Sequence, residues 1–87
     1  MEVRLLRQPF KFIKRAKGSF KTEISVEIEQ IALQPKIGKQ LTGTLKQFRS
    51  HRFTHVGVQY RIAYKVNGNV LIILIASREN FYRDLRV

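Results

Sequence analysis

The chain has 87 residues, which limits it to one domain, here residues 1–87, with one two-layer core; a chain of this size buries roughly 60–68% of its unfolded surface. Hydrophobic residues make up 44%, with five glycines, two prolines and no cysteine. These values exclude general disorder, a collagen-like repeat, a disulfide framework, a thiol nucleophile and cysteine-bound zinc or iron–sulfur centres. Seventeen Lys and Arg against six Asp and Glu give a net charge of +11, which calls for polyanionic or acidic partners.

Glu2 to Arg7, with Val3 and Leu5, reads as a short first strand. Pro9 suits the first turn of a helix, where its missing N–H costs nothing. Phe10 and Ile13 are spaced to line the buried side of that helix, and Gly18 closes it. Ser19 is placed to cap the next helix, whose stripe is Phe20, Ile24, Ile28 and Ile31. Pro35 ends it, and Lys36 to Thr44 reads as a loop.

The period then changes to 2. Lys46 to Phe53 is a weaker strand. Val58, Tyr60, Ile62, Tyr64 and Val66 alternate with Gln59, Arg61, Ala63 and Lys65, as in a half-buried strand. Asn67-Gly68 is a tight hairpin signal. Val70 to Ala76 is continuously apolar and short, so it reads as a strand covered on both faces. A last helix runs from Arg78 to about Arg86, with Ser77 as its cap and Phe81 and Leu85 as an apolar pair. The expected fold class is therefore α+β: a small β-α-α-β-β-β-α domain in two layers. A mainly antiparallel sheet carries a helical hairpin on one face, and the other face is left open with Arg61 on it.

Charge is segregated along this pattern. No acid lies between Glu29 and Glu79, and that stretch holds Lys36, Lys39, Lys46, Arg49, Arg52, Arg61, Lys65 and Arg78. Such a distribution is the footprint expected of a phosphate-binding face. The longest apolar run is far shorter than the roughly 20 residues a membrane helix needs, and the N-terminus lacks a signal-peptide pattern. The expectation is a soluble cytoplasmic protein with no membrane partner.

No cofactor motif is present, and neither a cofactor nor a metal is expected. His51 and His55 share a strand face but stand about 13 Å apart at strand spacing, with no carboxylate or thiol beside them in sequence. What remains is a set of Arg, Lys, His and Tyr. Metal-free RNA cleavage uses such groups, because the ribose 2′-OH is itself the nucleophile. The protein need only align it, neutralise the phosphate and move two protons. Arginine matches phosphate in shape, and histidine transfers protons near neutral pH.

Gln59-Tyr60-Arg61-Ile62-Ala63-Tyr64, the hydrophobic strand, and Arg78-Glu79-Asn80-Phe81-Tyr82 occur in an order that resembles the RelE/ParE superfamily of type II toxin–antitoxin toxins. The resemblance implies a toxin that enters the ribosomal A site and cleaves mRNA. It implies working residues at Arg49, at His51 or Arg52, at Arg61, at Arg78 and at Tyr82. The candidate catalytic set is Arg61, Arg78, Tyr82 and His51, and the candidate RNA-binding set is Lys46, Arg49, Arg52 and Lys65. It also implies an acidic antitoxin as partner, in a toxin–antitoxin hetero-oligomer. The chain departs from the best-known pattern in carrying His51-Arg52 where alternating lysines are usual, and in having no His beside Tyr82. Two other functions fit the same residues. One is a toxin of the same fold that poisons DNA gyrase. The other is a basic RNA- or ribosome-binding module without activity.

Overall fold

The computed structural model describes residues 1–85. Along the chain the elements are β1 (Val3–Leu5), α1 (Arg7–Arg15), α2 (Gly18–Leu33), β2 (Lys39–Gln40), a 3-10 turn at Gly43–Leu45, β3 (Arg49–His55), β4 (Val58–Asn67), β5 (Asn69–Ser77) and α3 (Arg78–Asp84). The fold is the expected α+β arrangement, with one strand more than the sequence reading. Arg86, to which that reading extends the last helix, lies outside the described residues. Among the described residues no helix is long and apolar enough to cross a membrane.

β3, β4 and β5 form the antiparallel meander that the alternation and the Asn67-Gly68 turn specify. β1 adds in parallel to β5, and β2 adds antiparallel to β3, giving the order β1-β5-β4-β3-β2. Beyond the end of β1, the Gln8 side chain continues the pairing. Its amide nitrogen donates to the Ile75 carbonyl at 2.8 Å, and the Ile75 N–H donates back to Gln8 Oε1 at 2.9 Å. A side-chain amide thus satisfies backbone groups that would otherwise be orphaned at the sheet edge.

The main core lies between the helical hairpin and the sheet. Ile24 and Ile31 of α2 pack on Phe53, Ile62, Tyr64, Val70, Ile72 and Ile75, with Phe12, Ile13, Phe20, Ile28 and Tyr60 at the margin. Each fully buried Ile contributes about 1.5–3 kcal/mol. The opposite face, expected to be open, carries a second cluster: Leu41, Phe48, Ala63, Leu74, Ala76, Phe81 and Leu85. α3 folds back over that face and buries Phe81 and Leu85 there. This is why Val70–Ala76 shows no alternation, since both faces of β5 are covered. A bulge in β5 adds to it. Ala63 pairs with Leu74 and Tyr64 with Ile72, leaving Ile73 as the extra residue.

Three local expectations are corrected. Phe10 is exposed, because the buried stripe of α1 runs Pro9, Phe12 and Ile13 to the cap residue Ala16; of the expected pair only Ile13 lies on it. Gly18 opens α2 rather than closing α1, its φ of +58° suiting the abrupt junction. Ser19 therefore lies inside the helix, with Lys17 at the cap position. The weak strand runs Arg49–His55 rather than Lys46–Phe53, and Lys46 follows the 3-10 turn.

The β3–β4 connection is a two-residue turn with φ of +48° at Val56 and +76° at Gly57. Both values match a type I′ turn, whose preferred sequence is Asn-Gly. A β-branched residue in the left-handed region is strained by roughly 1–2 kcal/mol, and Val56 is 85% exposed, so it gains no packing in return. Val56→Asn is expected to raise stability by about 1 kcal/mol, read as a higher denaturant midpoint with an unchanged slope. An unchanged or lower midpoint would show that the turn is not strained.

Candidate functional site

A cleft of about 240 Å³ opens on the sheet face that α3 covers, lined by Lys39, Gln40, Leu41, Thr42, Leu45, Ser50, Arg52, Arg61 and Tyr82. Strand pairing builds it. Lys39 is opposite Ser50, Ser50 is opposite Ala63, and Arg52 is directly opposite Arg61. On a pleated sheet these residues share one face. The Leu41–Leu45 segment walls one side. Tyr82 closes another from α3, half exposed, while its neighbour Phe81 anchors the helix with no exposure at all.

Three cations and no carboxylate line this cleft. Arg52 and Arg61 face each other as like charges, a juxtaposition that costs folding about 0.2–1 kcal/mol. The Arg61 guanidinium lies over the rings of both Phe81 and Tyr82, its Cζ 5.7 Å from each centroid. A cation–π contact of this kind offsets the repulsion by a similar amount. Among the described residues only two buried side-chain polar atoms lack a hydrogen-bond partner, Arg61 Nε and Ser50 Oγ, and both belong to residues of this cleft. The arrangement suits an anionic ligand rich in oxygen acceptors.

Of the residues singled out from sequence, the cleft thus unites Arg61, Tyr82 and Arg52. The others lie elsewhere. His51 pairs with Ile62 and so faces the helical hairpin, where its Nε2 meets Glu27 Oε1 at 2.7 Å. It stands on the opposite side of the sheet from Arg61, because strand parity separates His51 from Arg52. Arg49 shares that helix-facing side and donates to the Gly38 carbonyl at 2.7 Å, pinning the chain after α2. Arg78 is exposed at the start of α3 and does not line the cleft. Lys46 is exposed beyond the 3-10 turn. Lys65 shares the face of Arg61 but lies four residues along β4, about 13 Å away. The sequence reading omitted Ser50 and Lys39 from the site. The parity of Ser50 with Arg52 was available as a signal for one of them. Nothing in sequence marks a two-residue strand at Lys39–Gln40.

The His51–Glu27 pair is nearly buried, with side chains 11% and 14% exposed. Burial pushes the Glu27 carboxyl up, but hydrogen bonds to Glu23 and His51 outweigh it and leave Glu27 below the usual carboxylate range. Its neighbour Glu23 is displaced upward, chiefly by its hydrogen bond with Glu27. A carboxylate held below its unfolded value stabilises the fold above that value and loses the effect as pH falls through the folded one. Glu27→Gln is therefore expected to lower stability by about 1 kcal/mol near pH 7. The difference should shrink as the pH falls below the ordinary glutamate value and vanish only once it passes the lower value at which Glu27 titrates in the fold. Denaturant titrations of both proteins across that range check it, and a pH-independent difference would mean that the pair holds no charge.

A family model for the ParE-like toxin of type II bacterial toxin–antitoxin systems matches residues 3–86, nearly the entire chain. The chain belongs to that family. The toxin's fold is similar to a chain of the intact Escherichia coli RelBE toxin–antitoxin complex, with a TM-score of 0.69 at 13% identity, covering 86% of this chain and 93% of that one. It is also similar to a conserved hypothetical protein of Helicobacter pylori, with a TM-score of 0.55 at 16% identity, covering 91% and 96%. No curated protein matches the toxin in sequence. At these identities the likeness is one of fold, and the chemistry rests on the toxin's own side chains.

Proposed function

We propose that the toxin is an endoribonuclease that cleaves mRNA in the ribosomal A site, in the cytoplasm, and that a cognate acidic antitoxin holds it in check. One observation carries this reading: Arg52, Arg61 and Tyr82 converge on one cleft whose lining has no carboxylate. Arg61 and Arg52 neutralise the scissile phosphate, which they can grip through several N–H donors. The ribose 2′-oxygen forms the new bond to phosphorus as the bond to the 5′-oxygen breaks. The 2′-OH proton passes to water, and the 5′-oxygen takes one from a phenol hydroxyl that solvent then reprotonates. The Tyr82 hydroxyl at the rim of the cleft is the group assigned to this proton transfer. The products are a 2′,3′-cyclic phosphate and a 5′-hydroxyl. His51 takes no part, being across the sheet and bonded to Glu27. Arg78, exposed on the first turn of α3, is left to contact RNA outside the cleft.

The antitoxin's acidity follows from the charge of +11, which a compact partner of opposite sign would offset. Its effect on the site could be direct cover of the cleft or displacement of α3, which is held on the sheet mainly by Phe81 and Leu85.

A second reading, a gyrase-directed toxin, is favoured by the ParE-like description of the matching family. Brief expression of the toxin in cells, with mapping of mRNA 5′ ends and of DNA breaks, separates the two. The endoribonuclease reading predicts new 5′ ends phased with codons and no added DNA breaks. Gyrase-linked breaks with unchanged mRNA ends would replace it with the second reading.

A further inference from the structure

The two orphaned polar atoms of the cleft are neighbours by register. Ser50 is opposite Ala63, and Arg61 is two residues along β4 on the same face, so the two side chains stand diagonally across adjacent strands. Diagonal neighbours lie within reach of a long side chain. Ser50 is only 6% exposed, and its hydroxyl has no partner. Arg61 Nε is likewise buried and unpaired. Leaving two buried groups unsatisfied is costly, and native proteins tolerate few of them. Their chemistry is complementary: Nε–H can only donate, and a serine oxygen can accept.

What keeps them apart is the seat that the guanidinium occupies over the Phe81 and Tyr82 rings. That seat is a weak attraction shared between two rings, opposed by the charge of Arg52. An anion in the cleft competes with it directly.

We propose that Ser50 is a positioning residue for Arg61: when a phosphate occupies the cleft, the guanidinium leaves the aromatic rings, its Nε–H donates to Ser50 Oγ, and its outer nitrogens grip the phosphate. This rests on reading the cleft as the phosphate site. The serine hydroxyl in turn donates a hydrogen bond to a phosphate oxygen, so both orphans are satisfied at once. Arg61 then has two seats, one for each state of the cleft, and Ser50 sets the second. Fixing the guanidinium plane matters because arginine holds phosphate through two parallel bonds, which a free-swinging side chain makes only part of the time.

The test uses the full-length toxin labelled with ¹⁵N and titrated with inorganic phosphate, observing the Arg61 Nε–H resonance. In the wild type, phosphate is expected to shift that resonance and slow its exchange with water. In Ser50→Ala the phosphate should still bind, but the exchange should stay fast. Ser50→Cys nearly preserves volume and offers only a weak acceptor, so it should behave like Ser50→Ala even if the alanine variant folds poorly. In ribosome-dependent cleavage, Ser50→Ala should lower kcat about tenfold, the loss of one hydrogen bond to a charged group, with KM nearly unchanged. Slowed exchange of the Arg61 Nε–H in both variants, equal to that of the wild type, would overturn the proposal. So would phosphate binding that leaves the wild-type resonance unmoved. The titration does not depend on cleavage: a toxin that cleaves RNA while Ser50 proves irrelevant defeats only this proposal, and a silent nuclease with the expected titration defeats only the assigned reaction.

Discussion

Arg61→Ala is expected to lower mRNA cleavage by at least about a hundredfold, the usual effect of removing one preorganised donor to developing charge, while leaving the fold intact. Arg61 is the residue on which the cleft is organised: it faces Arg52, lies over Phe81 and Tyr82, and carries a buried N–H with no acceptor. Removing it ends a like-charge opposition and loses a cation–π contact, two terms of similar size and opposite sign. Stability should therefore stay within about 0.5 kcal/mol of the wild type. A residue kept at no gain in stability is one kept for its charge. Mapping of mRNA 5′ ends alongside a denaturant titration tests both halves. A large loss of stability would mean that Arg61 is structural, and retained cleavage would remove it from the mechanism. Arg52→Ala, at an exposed position, should reduce cleavage less, about tenfold.

Gly38→Ala is expected to be the most destabilising single methyl addition. A Cβ there would lie 2.6 Å from Tyr64 Oη, 2.8 Å from Cε1 and 3.0 Å from Cζ. Tyr64 cannot retreat. It is fully buried, accepts from the Gly38 N–H at 2.9 Å and donates to the Pro35 carbonyl at 2.7 Å. Burial pushes its phenol above the ordinary tyrosine range, so it is a neutral strut and not a base. Overpacking a rigid site of this kind costs about 3 kcal/mol, which for a domain of this size lowers Tm by roughly 12–24 °C. Tyr64→Phe alone should cost less, about 1–3 kcal/mol, by orphaning the Gly38 N–H and the Pro35 carbonyl. In the double variant the two penalties should be less than additive, since the closest clash is with the hydroxyl that Phe lacks. Additive losses would mean that Gly38 and Tyr64 do not share one packing constraint. Lys39 follows Gly38 directly, so the same strut sets the first residue of the cleft wall.

Strands and helices with a repeated apolar period were legible from sequence, and irregular segments were not. Val58–Val66 and Phe20–Ile31 announced themselves because one face of each is buried against the same core. The second apolar cluster was hidden. It draws on Phe81 and Leu85, which their helical spacing pairs, but also on Leu41 and Phe48 from two other segments, and no local period links those to α3. For the site, Arg61 was legible because its neighbours Tyr60 and Ile62 fix its face. Tyr82 was legible only through resemblance, since α3 has less than two turns in which to show a pattern. His51 and Arg52 could not be told apart in sequence, because which alternate residues of this strand face the helices is set by its register with β4. Once Arg49–His55 is known, parity places Ser50 and Arg52 with Arg61, and Arg49 and His51 with the helices. Lys39 became visible only through the pairing of β2 with β3, which is too short to leave a mark in sequence.

The central claim is that this cleft cuts RNA through the ribose 2′-oxygen. The most direct measurement is to incubate purified toxin with ribosomes programmed with a defined mRNA and analyse the new ends by mass, with Arg61→Ala in parallel. The account predicts a 2′,3′-cyclic phosphate on the upstream fragment, a 5′-hydroxyl on the downstream fragment, and neither with Arg61→Ala. A 3′-hydroxyl with a 5′-phosphate, or the same products from Arg61→Ala, would contradict it.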